Sequence, residues 1–270
     1  MKIISFNVNS LRTRLHQLEA LVERYQPDFI GLQETKVTDD EFPTKAIQAL
    51  GYHVEYTGQK THYGVALLSK HPFIHVCKNL EAPQQDEQKR FISGEFLVNN
   101  RRVFVINGYF PQGESRDHPQ KFPNKKLYYQ NLLKYLQHHH SPEDALLVIG
   151  DMNVAPQNAD IGLGEDAHKR WLRSGKCSFL PEERQWLQSL CDWGLTDPFP
   201  ATNINIDEAH SWFDYRTRAF DREPKRGLRI DLILATANLA QKCQRSGIDY
   251  DIRAMEKPSD HCPVWAEFDV

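Results

Sequence analysis

Eight residues able to hold a cation or handle a phosphate stand at or beside the end of an apolar run: Asn7, Glu34, Tyr109, Asp151, Asn153, Asp231, Asp260 and His261. Asp151 is the clearest. Ala145-Leu146-Leu147-Val148-Ile149 is an unbroken, partly β-branched run that reads as a strand buried on both faces. It ends in Gly150-Asp151-Met152-Asn153, and Ala155-Pro156 stops any regular element there. A carboxylate and a carboxamide two residues apart in extended chain point to the same side, so Asp151 and Asn153 stand together at the strand mouth. Taken singly, such residues are equally turn or cap residues. The repetition at several strand ends favours chemistry. Oxygen donors dominate and no Cys joins them, which points to Mg²⁺ or Mn²⁺ rather than zinc. Magnesium keeps waters and takes few protein carboxylates plus substrate phosphate oxygens, so a phosphoester is the expected substrate. His261 beside Asp260 adds a group that titrates or contacts phosphate.

The elements that must position these groups follow from periodicity. Residues 2–6 form a short strand. Ser10 then offers a helix N-cap, with Leu11, Leu15, Leu18, Leu21, Val22 and Tyr25 at helical spacing as far as Pro27. Phe29-Ile30-Gly31-Leu32 is a second buried strand, so Asn7 and Glu34 lie at like ends of a β-α-β unit. A helix over 44–50 closes at Gly51. Strands are expected at 52–56, 65–69, 74–79, 91–98 and 103–109, with Asn99-Asn100 as a hairpin turn. The loop 80–90 is polar. A helix over 121–140 carries Leu127, Asn131, Leu132, Tyr135 and Leu136 on one face. A loop-rich excursion over 162–209 holds short helices near 166–173 and 182–191. Strands at 228–235, containing Asp231, at 248–252 and at 262–268 complete the chain. Strands with interspersed helices in both halves predict an α/β fold of four layers, two mixed sheets packed face to face with helices outside.

The chain has 270 residues, 40% hydrophobic and 26% charged, with a mean hydropathy of −0.60. No apolar run approaches the ~20 residues of a membrane span, and residues 1–7 lack a signal-peptide layout. Cys77, Cys177, Cys191, Cys243 and Cys262 are scattered and never in a C-x-x-C pair. Reduced thiols in the cytoplasm are expected, rather than a disulfide frame. The net charge of −3 gives no global field to attract a polyanion, so any nucleic-acid surface must be a local basic patch. No linker divides the chain, and one domain over 1–270 is expected.

Several blocks in order resemble the exonuclease III family of apurinic/apyrimidinic endonucleases, within the deoxyribonuclease I-like superfamily. They are Ser5-Phe6-Asn7-Val8-Asn9, Ile30-Gly31-Leu32-Gln33-Glu34-Thr35-Lys36, Asn107-Gly108-Tyr109-Phe110-Pro111-Gln112-Gly113 and Gly150-Asp151-Met152-Asn153. Further along come Trp171 to Pro181, Ser211-Trp212-Phe213-Asp214-Tyr215-Arg216, Arg229-Ile230-Asp231 and Ser259-Asp260-His261-Cys262-Pro263-Val264. The resemblance implies a metal-dependent DNA-repair nuclease that cuts 5′ to abasic sites, resects 3′ ends of double-stranded DNA and removes 3′-blocking groups, working as a monomer. It implies Glu34 as the main metal ligand, Asn7 positioning it and Asp260 nearby, with Asp151, Asn153 and His261 also at the metal. Asp151 would orient or deprotonate water, or protonate the leaving oxygen. Asn153 would position Asp151 and the phosphate. Asp231 would pair with His261, whose other face meets a phosphoryl oxygen, and Tyr109 would also reach the phosphate. Asn9-Ser10 stands where the family has Asn-Gly, and residues 220–226 are longer and more basic than its pattern.

Two basic clusters flank these blocks: Lys169, Arg170, Arg173 and Lys176, and then Arg216, Arg218, Arg222, Lys225 and Arg226. A charge run alone is more often a solvated face. The resemblance makes Lys176 and Arg216 phosphate contacts, with Arg90, Gln112 and Lys121 as weaker candidates. Trp212, Leu228 and Ile230 are the expected walls of a small pocket for a sugar lacking its base, against ordinary core packing. His138-His139-His140, before Ser141-Pro142, reads as solvated rather than as a metal tract. Lipid-headgroup phosphatases of the superfamily would want a membrane-facing loop, and none is evident. An inactive DNA-binding module would have lost a carboxylate or the histidine, and all are present.

Overall fold

A computed structural model of the chain describes residues 1–80, 88–203 and 209–270. Among the described residues twelve strands run in chain order: β1 Lys2–Asn7, β2 Phe29–Gln33, β3 His53–Thr57, β4 Val65–Ser69, β5 His75–Cys77 and β6 Phe91–Val98. They continue as β7 Arg101–Tyr109, β8 Ala145–Asp151, β9 Leu195–Thr196, β10 Asp231–Thr236, β11 Cys243–Ile248 and β12 Val264–Phe268. The longer helices are α1 Leu15–Tyr25, α2 Thr44–Ala49, α3 Lys121–His139, α4 Glu165–Ser174 and α5 Pro181–Trp193. The strands form two six-stranded mixed sheets, ordered β11-β12-β1-β2-β4-β3 and β5-β6-β7-β8-β10-β9. Each has one parallel pair at its centre, β1 with β2 and β7 with β8. A parallel pair requires a crossover connection and brings two carboxyl ends side by side. Asn7 and Gln33 are therefore paired across one sheet, and Tyr109 and Asp151 across the other.

Period-two alternation then sorts the buried strands into layers. Ile4, Phe6, Ile30 and Leu32 face α1 and α2 in one core, and Leu146, Val148 and Leu232 face α3 and α5 in another. Ile3, Phe29, Val105, Leu147, Ile149, Ile233 and Val264 meet between the sheets. Fully burying each such side chain contributes ~1.5–3 kcal/mol. Following the inward face to its end leads from Ile3 and Ser5 to Asn7, from Leu147 and Ile149 to Asp151, and back from Ile233 to Asp231. One edge of the inter-sheet core is thus polar. Just beneath it the sheets are joined by amides: Gln33 Nε2 donates to Asn107 Oδ1 at 2.6 Å, and Asn107 Nδ2 donates to the Leu32 and Ala66 carbonyls. Gly31 allows this close approach, since a Cβ there would lie 2.6 Å from Ile149 Cδ1 and 2.8 Å from Asn107.

Several local expectations are corrected. Ser10 makes no side-chain cap; a 3₁₀ turn at Leu11–Thr13 precedes α1, which starts after Arg14. Ser10 has φ of 92°, a conformation that suits glycine. Residues 248–252 divide between the end of β11 and a short helix, Tyr250–Arg253. Leu127 is exposed, and α3 instead buries Lys125, Tyr128, Tyr129, Leu132, Tyr135 and Leu136. His138 and His139 are exposed as expected, but the His140 side chain is largely buried, edge-on to Phe104. Asp231 opens β10 rather than lying inside a strand. Part of the polar loop, 81–87, and part of the excursion, 204–208, lie outside the described residues.

Candidate active site

At this polar edge Asn7 lies wholly buried between two carboxylates. Its Nδ2 donates to Glu34 Oε1 at 2.9 Å and to Asp151 Oδ2 at 3.0 Å, while its Oδ1 accepts from Asn9 N. The amide oxygen is therefore turned away from the acids, and Asn7 bridges them. Glu34 follows β2 with φ of 51°, and its other oxygen is 2.8 Å from Lys36 Nζ. Burial opposes its ionisation, but Lys36, with Asn7 and His261, together outweigh this and hold its pKa below the ordinary value.

Asp151 and Asn153 are joined by a turn, not by extended chain as the sequence suggested. Asn153 has φ of 53°, and its N–H donates to Asp151 Oδ1 at 3.0 Å, the turn chemistry Asp supports. Its Nδ2 donates to the Phe110 carbonyl, fixing the side chain to the end of β7. Asp231 accepts from His261 Nδ1 at 2.9 Å, which leaves Nε2 facing Asp151 Oδ2 at 3.8 Å. Ser211 Oγ accepts the Ile230 and Asp231 N–H groups. Ser259 Oγ donates to the Asn7 carbonyl and accepts from His261 N. Burial pushes the Asp151 carboxyl up to about 7, with His261 pulling the other way. Burial likewise opposes charge on His261, but Asp231 and Asp151 outweigh it and raise its pKa to about 10. Burial and then the Glu34 charge raise Tyr109 well above an ordinary phenol, so it stays a neutral donor.

Glu34, Asp151 and His261 each offer a ligand atom within 4.8 Å of the others. Two close carboxylates of which one, Asp151, is buried and resists ionisation suit a cation, and the oxygen-rich donor set suits a hard one. Asp260 sits apart from these three: Asn9 Nδ2 and Trp212 Nε1 donate to its two oxygens at 2.9 and 3.1 Å.

The groups open into a cavity of about 270 Å³ lined by Glu34, Tyr109, Gln112, Asp151, Asn153, Trp171, Lys176, Ser178, Trp212, Ile230, Asp260 and His261. Its apolar wall is Ile230 and Trp212, backed by Leu228, which is fully buried behind them with Phe179 and Ala155. Trp171 is a wall the sequence reading missed; it stacks on Phe179 at 5.6 Å. Lys176 Nζ lies 3.7 Å over its ring. Arg216 is exposed beyond the rim, and Lys121 is exposed and paired with Glu114 at 2.5 Å. Gln112 Oε1 accepts from Glu114 N. Arg90 does not line the cavity; its guanidinium rests on Tyr63 and Tyr109.

Also missed was a fully buried ion pair under the site. Lys125 Nζ pairs with Glu183 and donates to the carbonyls of Gln112 and Asn153, while Glu183 accepts from Ser178 N and Leu180 N. It ties three site segments together. A Lys inside an otherwise amphipathic helix offers no sign that it points inward.

Residues 4–261 match the Endonuclease/Exonuclease/phosphatase family. The chain is 54% identical over 268 residues to exodeoxyribonuclease III of Haemophilus influenzae, covering 99% of this chain and 100% of that protein. Among solved structures, a 3′ phosphatase from Neisseria bound to a product DNA hairpin is 38% identical, with a TM-score of 0.88 and 100% of both chains covered. An AP endonuclease from Archaeoglobus fulgidus is 34% identical, with a TM-score of 0.89 and the same coverage.

Proposed function

This chain belongs to the Endonuclease/Exonuclease/phosphatase family, and we propose that it is a DNA-repair nuclease hydrolysing DNA phosphodiesters with Mg²⁺, for which Mn²⁺ can substitute. Its activities are incision 5′ to abasic sites, 3′-to-5′ resection of duplex ends and removal of 3′-blocking groups. One site serves all three, because each attacks a phosphate bonded to a deoxyribose 3′ oxygen. The carrying observation is the convergence of Glu34, Asp151 and His261 beside an apolar wall.

In this reading Glu34 is the principal metal ligand, with Asp151 beside it and Asn7 bridging the two carboxylates. When bound, the cation neutralises phosphate charge and polarises its oxygens. Asp151 handles the proton, taking it from the attacking water or giving it to the leaving 3′ oxygen; a pKa near neutrality serves either direction. Asp231 orients the His261 ring through Nδ1–H, so that the Nε2–H of the charged ring meets a phosphoryl oxygen as charge develops there. Tyr109 adds a neutral O–H donor, and Asn153 holds Asp151 against the phosphate. Asp260 supports Trp212, which with Ile230 shapes the pocket for a sugar without a base. Lys176 and Arg216 contact flanking phosphates of double-stranded DNA, and the protein works as a cytoplasmic monomer.

An abasic duplex and a blunt duplex incubated side by side, with and without Mg²⁺, test this. Incision of the first and 3′ resection of the second, both abolished by chelator, are expected. Both duplexes remaining intact in Mg²⁺ would overturn it.

A further inference from the structure

Resting on that reading, we infer that Arg90 is not a DNA phosphate contact but a positioning residue, which together with Tyr63 locks Tyr109 to the Glu34 loop. The guanidinium carbon of Arg90 lies 4.3 Å from the Tyr63 ring centre and 4.5 Å from that of Tyr109. The two rings are themselves 6.3 Å apart. A planar cation against two aromatic faces is held by both electrostatics and packing. Hydrogen bonds fix it further: Nη1 donates to the Tyr109 carbonyl at 3.1 Å and Nε to Gln88 Oε1 at 2.5 Å. The Arg90 carbonyl accepts from Tyr109 N and from the Tyr128 hydroxyl. Both ends of Arg90 are thus committed to Tyr109.

Tyr63 supplies the second half of the link. Its carbonyl accepts from Lys36 N at 3.0 Å, and the neighbouring Gly64 carbonyl accepts from Thr35 N at 3.1 Å. Gly64 N in turn donates to the Lys89 carbonyl, next to Arg90. Glu34, Lys36 and Tyr63 all have φ between 51° and 60°. Backbone in this region is held only where the surroundings over-determine it. Gly64 makes the approach possible, because a Cβ there would lie 2.2 Å from Thr35 Oγ1. The stack therefore joins one sheet's strand-end loop, carrying Glu34, to the other sheet's strand-end tyrosine. A misplacement of about 1 Å in such a constellation can cost on the order of 10²-fold in rate.

The test combines a double-mutant cycle with a salt series. Arg90→Met, Arg90→Lys and Tyr63→Leu should each lower kcat for abasic incision by about tenfold to a hundredfold. Lysine does not rescue, since it keeps the charge but loses the planar fork. In a Tyr109→Phe background, which keeps the ring and removes the hydroxyl, Arg90→Met should cost less than about twofold more. Duplex affinity of Arg90→Met, measured in chelator, should keep the wild-type slope against log salt. Tyr63→Leu approaches the same link from the other side, and melting curves verify that each variant is folded. A slope reduced by about one, as loss of a phosphate contact gives, or additivity with Tyr109→Phe, would overturn the assignment. Wild-type protein that fails to incise abasic DNA overturns the functional reading instead, while the salt slope in chelator still judges Arg90.

Discussion

Asp151, Asp231 and His261 are buried at or near strand ends, with Asp231 hydrogen-bonded to His261 and Asp151 3.8 Å from its other nitrogen, whereas Lys169, Arg170, Arg173 and Arg216 project into solvent from α4 and a loop. Helix α4 buries no residue at all. The first group is placed by sheet register and gains electrostatic strength from exclusion of water. The second is placed by long, mobile side chains and is screened by salt. The difference teaches where each kind of energy is used. In the proposed function, strand ends supply directions fixed enough for a transition state, and the rim supplies attraction that need not be fixed.

The comparison can be broken most sharply at the floor. Asp151→Asn and His261→Asn should lower kcat by about 10²- to 10⁴-fold while duplex affinity changes little. An effect mainly on KM would make them binding groups and erase the distinction. Next comes the wall between floor and rim. Trp212→Ala should reduce the preference for abasic over intact duplex by roughly 10- to 200-fold, undiminished across salt concentrations because it removes apolar contact. Unchanged preference in a folded Trp212→Ala protein would put the pocket elsewhere.

A stability measurement sharpens the same contrast through pH. Folding raises the Asp151 pKa from 3.8 to about 7, so folding favours its protonated form. That contribution is complete below the unfolded value and is lost as pH rises through the folded one. In chelator, wild-type protein should therefore lose melting temperature relative to Asp151→Asn as pH rises from about 5 to about 8. His261, held up to about 10, stays charged across that window. A wild-type gain over the variant there would contradict the assigned burial. The smallest effect belongs to the rim. Lys176→Ala should weaken all duplexes alike, and flatten the salt slope by about one.

The polar strand ends are legible in the sequence because a buried strand has a simple signature and its end is where polarity returns. Val65–Ser69 and Phe91–Val98 match the expected strands to the residue. The two-sheet, four-layer arrangement follows from the same runs. What sequence hides is charge turned inward. Lys125, paired with Glu183, and Arg229, bonded to Asp160 and Asp197, are buried ions that read as surface residues. Positive-φ turns are hidden too, since the Asn153 turn, not strand alternation, brings its N–H to Asp151. Leu127 misled for the complementary reason: an apolar residue at helical spacing, left exposed while Tyr128 took the core.

In the proposed function the strand-end cluster works through a cation held chiefly by Glu34. Abasic-duplex incision by wild type and Glu34→Ala, measured over a Mg²⁺ titration from chelator upward, tests it most directly. Expected are no wild-type incision in chelator, saturable recovery with Mg²⁺, and a Glu34→Ala rate lower by on the order of 10² at low Mg²⁺. Full wild-type activity in excess chelator, or a Glu34→Ala titration that overlays the wild-type curve, would contradict it.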